Sequence, residues 1–333
     1  MRLYKYLSSA HKLFTDGLIR VSQPSVLNDP YEAFFDRKAV EELLLEASYH
    51  GPEDMGWALE EIESTISKTG VISLTQSYDN LLMWAHYANE HRGLVVGFNV
   101  IDDCDFFVEL FPRINEGSLS QCFGEGPIGS PVYNGQLDSI KYQKQPAFRL
   151  DTYEYPWDEL SAGDTDLIAR HSFLHKSDEW IYEKEHRYII HLEQADVVKI
   201  PESTSESHDG GKLVRGCVGL LGDSAEYVYC YDGKAHEFNL YMIEDSPTRQ
   251  LVAKLLSGLS HYSDVIYCMR INTGLISACI LGESFDLSKQ SKALDGIDNT
   301  NVFNRHGDFF KSKRSTFSYQ LDFDNISRDD IVQ

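Results

Sequence analysis

Two short apolar runs, Val71 to Thr75 and Gly93 to Phe98, flank a segment from Asn80 to Glu90 that offers Leu82, Trp84, Ala85 and Tyr87 at helical spacing. Runs this short and this rich in β-branched residues read as strands, and the segment between them as a packed helix. The chain therefore builds part of its core from a strand-helix-strand unit. Its first residues repeat the pattern: a strand at Leu3 to Tyr6, a helix opening at Ser8 or Ser9 and closed by Gly17, and a strand at Leu18 to Val21. Both readings point to an α+β fold with mixed or antiparallel sheets and packed helices.

The remaining chain is expected to elaborate this frame. Arg37 to Lys68 carries apolar residues at helical spacing among acids and predicts two solvated helices that can serve as a lid. Asp102 to Asp166 is rich in Gly, Pro, Ser, Tyr and acids and predicts long surface insertions. A helix is expected from Asp164 to Lys176, and a strand from Tyr188 to Leu192. Pro201 to Gly211 reads as a linker or mobile loop, and Glu116 to Pro131 as equally mobile. Beyond it, Leu213 to Leu221, Glu226 to Tyr231 and Phe238 to Ile243 predict strands, followed by a helix with Ser246 as N-cap and Pro247 in its first turn. Strands are expected at Val265 to Arg270, Leu275 to Leu281 and Thr316 to Phe323, with a helix after Asp286. Residues 1–333 are read as a single elaborated domain, divisible at most into a motif-bearing part, 1–200, and a β-rich part, 212–333.

Charge narrows the function classes. Thirty Lys and Arg against 52 Asp and Glu leave a formal charge of −22, which opposes extended nucleic-acid binding. No apolar stretch approaches the ~20 residues of a membrane span, and no secretory h-region follows Met1, so a soluble, cytoplasmic protein is expected. The six cysteines form no Cys-x-x-Cys pair and read as reduced, small hydrophobes. His171 and His175 have the spacing of two ligands on one helix face, but no Glu follows the first, and no metal site is assigned. The basic run Arg305 to Arg314, with Phe309 and Phe310 interleaved, reads as a solvated edge.

Three segments concentrate polar-tipped aromatics and mixed charge in apolar surroundings. Asn28-Asp29-Pro30 is a turn that aims Tyr31 and Glu32. Met83 to Tyr87 places Trp84, His86 and Tyr87 within one helical turn, with His86 and Tyr87 directed to different faces. In Glu179 to Arg187, an extended backbone would put Glu183, Glu185 and Arg187 on one face and Tyr182, Lys184 and His186 on the other. Glu185 is read as a cleft residue and Arg187 as the anchor of Glu183. Because such groups are expensive to bury unless they satisfy one another, all three segments are expected around one cavity.

Together with Leu3 to Tyr6, Leu18 to Val21, Lys176, and the looser Ile276 to Gly282 and Phe310 to Phe323, these segments resemble, in order, the bacterial family DUF2971. That resemblance implies a cytoplasmic bacterial protein and no settled activity. The order of an aromatic on the first strand (Tyr4 or Tyr6), a hydroxyl-bearing strand and aromatic helix (Ser73, Thr75, Tyr87) and a late-strand Glu (Glu185 or Glu183) also looks like the three-part site of the ADP-ribosyltransferases. Under that likeness Glu185, Tyr87 and Thr75 would be catalytic. Tyr4, Tyr6, Asn28, Asp29, Trp84, His86 and Arg187 would hold the cofactor, NAD. The alternative is a non-enzymatic sensor or interaction protein that uses the same pocket for a small-molecule or nucleotide ligand.

Overall fold

The computed structural model describes residues 1–10, 12–46, 55–100, 103–112, 135–144 and 164–330. Strand β1 (Arg2–Leu7) pairs antiparallel along its whole length with β4 (Leu94–Asn99), while β3 (Thr69–Thr75) pairs residue for residue with β8 (Glu185–His191). These four strands are the centre of an eight-stranded sheet. It continues through β13 (Ile276–Leu281), β14 (Asp308–Arg314) and β15 (Leu321–Asn325) on one side and β5 (Asp138–Ser139) on the other. Only β13 and β14 run parallel, so the sheet is mixed. A five-stranded antiparallel sheet has the order β10 (Tyr229–Tyr231), β11 (Ala235–Asn239), β9 (Val197–Pro201), β12 (Ile266–Arg270), β2 (Leu18–Val21). A parallel pair, β6 (Lys141–Gln143) and β7 (His175–Ser177), completes the strands among the described residues. The expected α+β class is what the structure has.

Strand β3 is where the two sheets meet. Its second half touches β1 at one register position, Tyr4 opposite Thr75, while Val71 exchanges two 2.9 Å backbone bonds with Ser22 just after β2. The eight-stranded sheet thus forks at β3, with β1 on one branch and β2 on the other. Antiparallel alternation turns Val71, Ser73 and Thr75 to the same side, so the fork leaves the Ser73 carbonyl facing a gap. Lys5 fills the need by donating from Nζ to that oxygen at 3.1 Å.

The main core draws Leu3, Ile72, Leu74, Val96 and Phe98 from the larger sheet. From the smaller it takes Ile19, Val21, Val198, Phe238 and Tyr267, packed with Val214, Cys217, Val252 and Leu256 of the His208–Leu221 and Ser246–Ser257 helices. A second cluster gathers Val40, Leu44, Leu59, Ile62 and Ile66 against Val71, Ile168, Phe173 and Ile189. The helices holding the first five, Arg37–Glu46 and Met55–Ser67, are therefore walls of the fold and not a lid. Glu41, Glu42, Glu60, Glu61 and Glu63 of these helices are exposed.

Several other expectations are corrected. The first helix is a single turn, Leu13–Asp16, closed as expected by Gly17 in the left-handed region. Pro201 to Gly211 is not a loop: it ends β9, forms the Glu202–Ser205 helix and enters the His208–Leu221 helix, whose N-cap Ser207 accepts from the Gly210 amide at 3.0 Å. Leu213 to Leu221 is helix and not strand because Val214, Cys217 and Leu221 recur at helical spacing on its buried side. The helix expected with Ser246 as its cap starts at Ser246, with Asp245 as the cap accepting from Thr248 N. Within Asp102 to Asp166, Asp103–Leu110 is helical and sends Phe106, Phe107 and Leu110 into the main core, so part of that stretch is not an insertion. Glu116 to Pro131 lies outside the described residues.

Gly93 makes one tight join between these elements testable. A Cβ there would fall inside the contact radius of the Leu7 carbonyl oxygen and 3.0 Å from that of Ala88, both backbone atoms that cannot rotate away. Gly93→Ala is expected to lower stability by about 1–3 kcal/mol, read as a fall in urea midpoint. The His208–Leu221 helix is likewise expected to protect its amides from hydrogen exchange, which a mobile loop would not.

Candidate functional site

The fork between β1, β2 and β3 opens into a cavity of about 590 Å³. Tyr4 to Ser9, Ser73 to Thr75, and Met83, His86 and Tyr87 of the Leu81–Tyr87 helix form one side. The facing side is one surface of the five-stranded sheet. There the register sets Arg20 opposite Cys268 and Cys268 opposite Val197, while Lys199 lies between Glu237 and Ile266. The opposite surface of the same strands carries Val21, Val198, Phe238 and Tyr267 into the core. This sheet turns its charged surface inward to the cavity.

At one end a cluster of five charged side chains is buried. Arg187, 1 % exposed, holds Glu185 through two bonds, Nε to Oε1 at 2.7 Å and Nη2 to Oε2 at 2.8 Å, and donates from Nη1 to the Phe173 carbonyl at 2.8 Å. It also pairs with Glu32. Lys176 reaches Glu183 at 2.7 Å, Glu32 at 3.3 Å and Glu185 at 3.4 Å. Tyr87 donates its hydroxyl to Glu183 at 2.5 Å, and the Thr75 hydroxyl donates to the Glu183 carbonyl at 2.5 Å. Three buried carboxylates thus share two buried cations.

Burial pushes the Glu32 and Glu183 carboxyls up, against the pull of Arg187 and Lys176 on the first and of Lys176 on the second. Burial would raise Glu185 as well, but Arg187 and Lys176 outweigh it and hold Glu185 down at about 2. Tyr87 is driven up by burial and by the charge of Glu183, so its hydroxyl stays a donor.

The structure sorts the candidate residues. Tyr4, Tyr6, Asn28, Thr75, His86, Tyr87, Glu185 and Arg187 all line the cavity, as do Met83, Glu32 and Glu183. His86 and Tyr87 line it together, against the expectation that they would part, because the cavity mouth wraps around the end of their short helix. Trp84 does not line it: the indole is fully buried, donates to the Tyr78 carbonyl at 2.8 Å and packs edge-on to Tyr6. Asp29 is also structural, accepting from the amides of Tyr31 at 2.9 Å and Ser177 at 3.1 Å and so pinning the turn to β7. Glu183 ends a 3-10 turn, Asp178–Glu183, instead of lying in a strand, and its partner is Lys176, not Arg187. Tyr31 points to solvent, 67 % exposed.

Several charged lining residues were not candidates, Lys5, Arg20, Lys176 and Glu32 among them. Lys5 and Arg20 had a legible signal, since each interrupts an apolar strand, Leu3-Tyr4-Lys5-Tyr6 and Leu18-Ile19-Arg20-Val21. Elsewhere the basic run is spent in pairs: Lys313 with Asp324 and Arg314 with Glu283, both at 2.6 Å. The His171 and His175 rings lie tilted by 33° with centroids 3.8 Å apart, and among the described residues no His, Cys, Asp and Glu group is arranged to hold a metal. Cys217, Cys230, Cys268 and Cys279 are free thiols. No helix among the described residues is long and apolar enough to cross a membrane.

The family model DUF2971, described as a protein of unknown function, matches residues 83–188, in line with the resemblance read from the motifs. The matched stretch supplies Met83 to Tyr87 and, from the ionic cluster, Lys176, Glu183, Glu185 and Arg187. Neither a curated protein nor a solved structure matches the chain.

Replacing Glu185 by Gln leaves Arg187 facing a single carboxylate and is expected to lower stability by about 3 kcal/mol in a denaturant melt. The pH dependence has a defined sign. Glu185 ionises at about 2 in the fold against an ordinary 4.5, so its contribution is complete above 4.5 and is lost as pH falls from there to 2. Glu32 and Glu183 have the opposite sign: their raised carboxyls take up protons more readily in the fold, which favours folding as pH drops through their range. A stability curve should rise gently below neutrality and then fall below about pH 4.5, and Glu185→Gln should flatten that fall.

Proposed function

We propose that this chain is a small-molecule-binding protein whose ligand occupies the cavity at the fork. The observation that carries this reading is the cavity itself. At about 590 Å³ it has the size of a ligand pocket, lined by apolar and aromatic side chains together with fixed polar groups. The ionic cluster gives that pocket a rigid wall. Ser8, Asn28 and His86 are exposed and mark its rim.

The chemistry of Glu185 favours binding over turnover. Both of its oxygens are held by Arg187 and Lys176, and a carboxylate so neutralised has little charge left to stabilise a developing cation. The Thr75 hydroxyl is likewise committed to the Glu183 carbonyl. A second reading, an NAD-using ADP-ribosyltransferase-like enzyme, is favoured by one observation: Tyr4, Tyr6, Thr75, Tyr87 and Glu185 converge on the same cavity although they come from four separate elements.

Two measurements separate them. A thermal-shift panel of nucleotides, NAD, sugars and amino acids should contain compounds that raise the melting temperature of the wild type. Ser8→Trp, at the exposed rim, should weaken their binding about tenfold or more while the unliganded protein melts unchanged. An NAD-consumption assay on the wild type beside Glu185→Gln should show no turnover in either; consumption that disappears in the variant would replace binding with catalysis.

A further inference from the structure

Of the six cations that line the cavity, four have carboxylate partners. Lys176 and Arg187 belong to the buried cluster, Lys12 holds both oxygens of Glu237 at 2.8 and 2.9 Å, and Lys199 lies 3.8 Å from Asp232. Lys5 and Arg20 do not. Among the described residues the Lys5 ammonium donates to a neutral carbonyl, that of Ser73, and makes no ion pair. Arg20 has no ion pair among the described residues, and its buried Nε has no hydrogen-bond partner. Lys5 and Arg20 are thus two cavity cations without a carboxylate partner among the described residues, in a chain of −22.

A half-buried guanidinium whose buried Nε finds no partner among the described residues costs free energy that an apolar residue in its place would not. Its position is fixed by the sheet: Arg20 faces Cys268 across the β2–β12 register, and Leu18 and Ser22 on the same surface also line the cavity. Lys5 enters from the other branch of the fork. Burial, aided by the charge of Arg20 and opposed by Glu185, presses Lys5 down to about 8, as expected for a cationic site with nothing in it to neutralise.

We infer that the Lys5–Arg20 end of the cavity is a binding subsite for the phosphate of a small phosphomonoester. This rests on the cavity being a ligand site and names its ligand class. A dianionic phosphate matches the two uncompensated charges, and a guanidinium fork beside an ammonium is the donor set that phosphate oxygens accept from. The volume left toward Tyr4, Tyr6 and Met83 has room for a sugar or nucleoside attached to that phosphate.

The test is calorimetric titration of the full chain at low salt with AMP, ribose 5-phosphate, inorganic phosphate and adenosine, using wild type and Arg20→Gln. Expected is binding of the phosphomonoesters, with adenosine weaker by about tenfold or more, and a similar loss for the phosphomonoesters alone in Arg20→Gln. Unliganded Arg20→Gln should melt no lower than wild type, since an unpartnered charge has been removed; a purely structural Arg20 would lower it. Wild-type affinity for ribose 5-phosphate should also fall with added salt, a readout that needs no variant. Adenosine binding as tightly as AMP, or phosphomonoester binding indifferent to both salt and Arg20→Gln, would overturn the subsite and leave the cavity reading standing. Failure of every phosphate-bearing probe also overturns the subsite. The cavity reading falls only if the broader panel and Ser8→Trp fail too.

Discussion

The bidentate contact between Arg187 and Glu185 is the interaction on which the rest of this structure turns. Both side chains sit on β8, two residues apart, and neither could be taken from water alone. Once paired, they need the remaining hydrogen bonds supplied from outside the strand, and these come from Glu32 after the second strand, Lys176 on β7 and the Phe173 carbonyl. A buried cluster of this kind adds little net stability compared with apolar residues of the same shape. Its effect is on arrangement: only one placement of the turn at Asn28, the β7 strand and the Leu81–Tyr87 helix satisfies all five charges at once.

The fork at β3 is the second constraint, and it follows from a shortage of strand partners. β3 meets β1 at its end and Ser22 near its start, and between these contacts the sheet has a hole. Cavities are usually lost to packing density, because side chains collapse into them. Here the walls on both sides are backbone ladders with charged side chains between them, and neither can close without stranding Lys5, Arg20 or the Ser73 carbonyl in a dry interior.

Much of the frame was legible. β2 and the two strands around the Leu81–Tyr87 helix fall where alternation and turn residues put them, since short-range pattern and tertiary burial agree there. What escaped was set by long-range context. Pro201 to Gly211 is rich in Ser and Gly, which locally favours loops, but Asp264 accepts from Thr204 at 2.6 Å and Ser203 at 2.8 Å and stabilises a helical turn that composition alone does not signal. The site was readable as a set of residue types and not as a set of pairs. Glu183, Glu185 and Arg187 stood out, but that Lys176 takes one carboxylate and Arg187 the other depends on a 3-10 turn that no alternation pattern encodes.

The pairing of β2 with β12 has a kinetic meaning as well as a structural one. Gln23, just after β2, is tied at 2.7 Å to the carbonyl of Val265, 242 positions further along the chain, and β1 is flanked through β4 by β13. On a ribosome adding roughly 5–20 residues per second, the first strands wait on the order of ten seconds or more before their final neighbours exist. During that interval Leu18 to Val21 is an apolar edge with nothing to pair to, the kind of segment that recruits other chains. Arg20 in the middle of that edge then acts as a gatekeeper: the charge that faces the cavity in the finished fold keeps the nascent strand from aggregating before its partner strands exist.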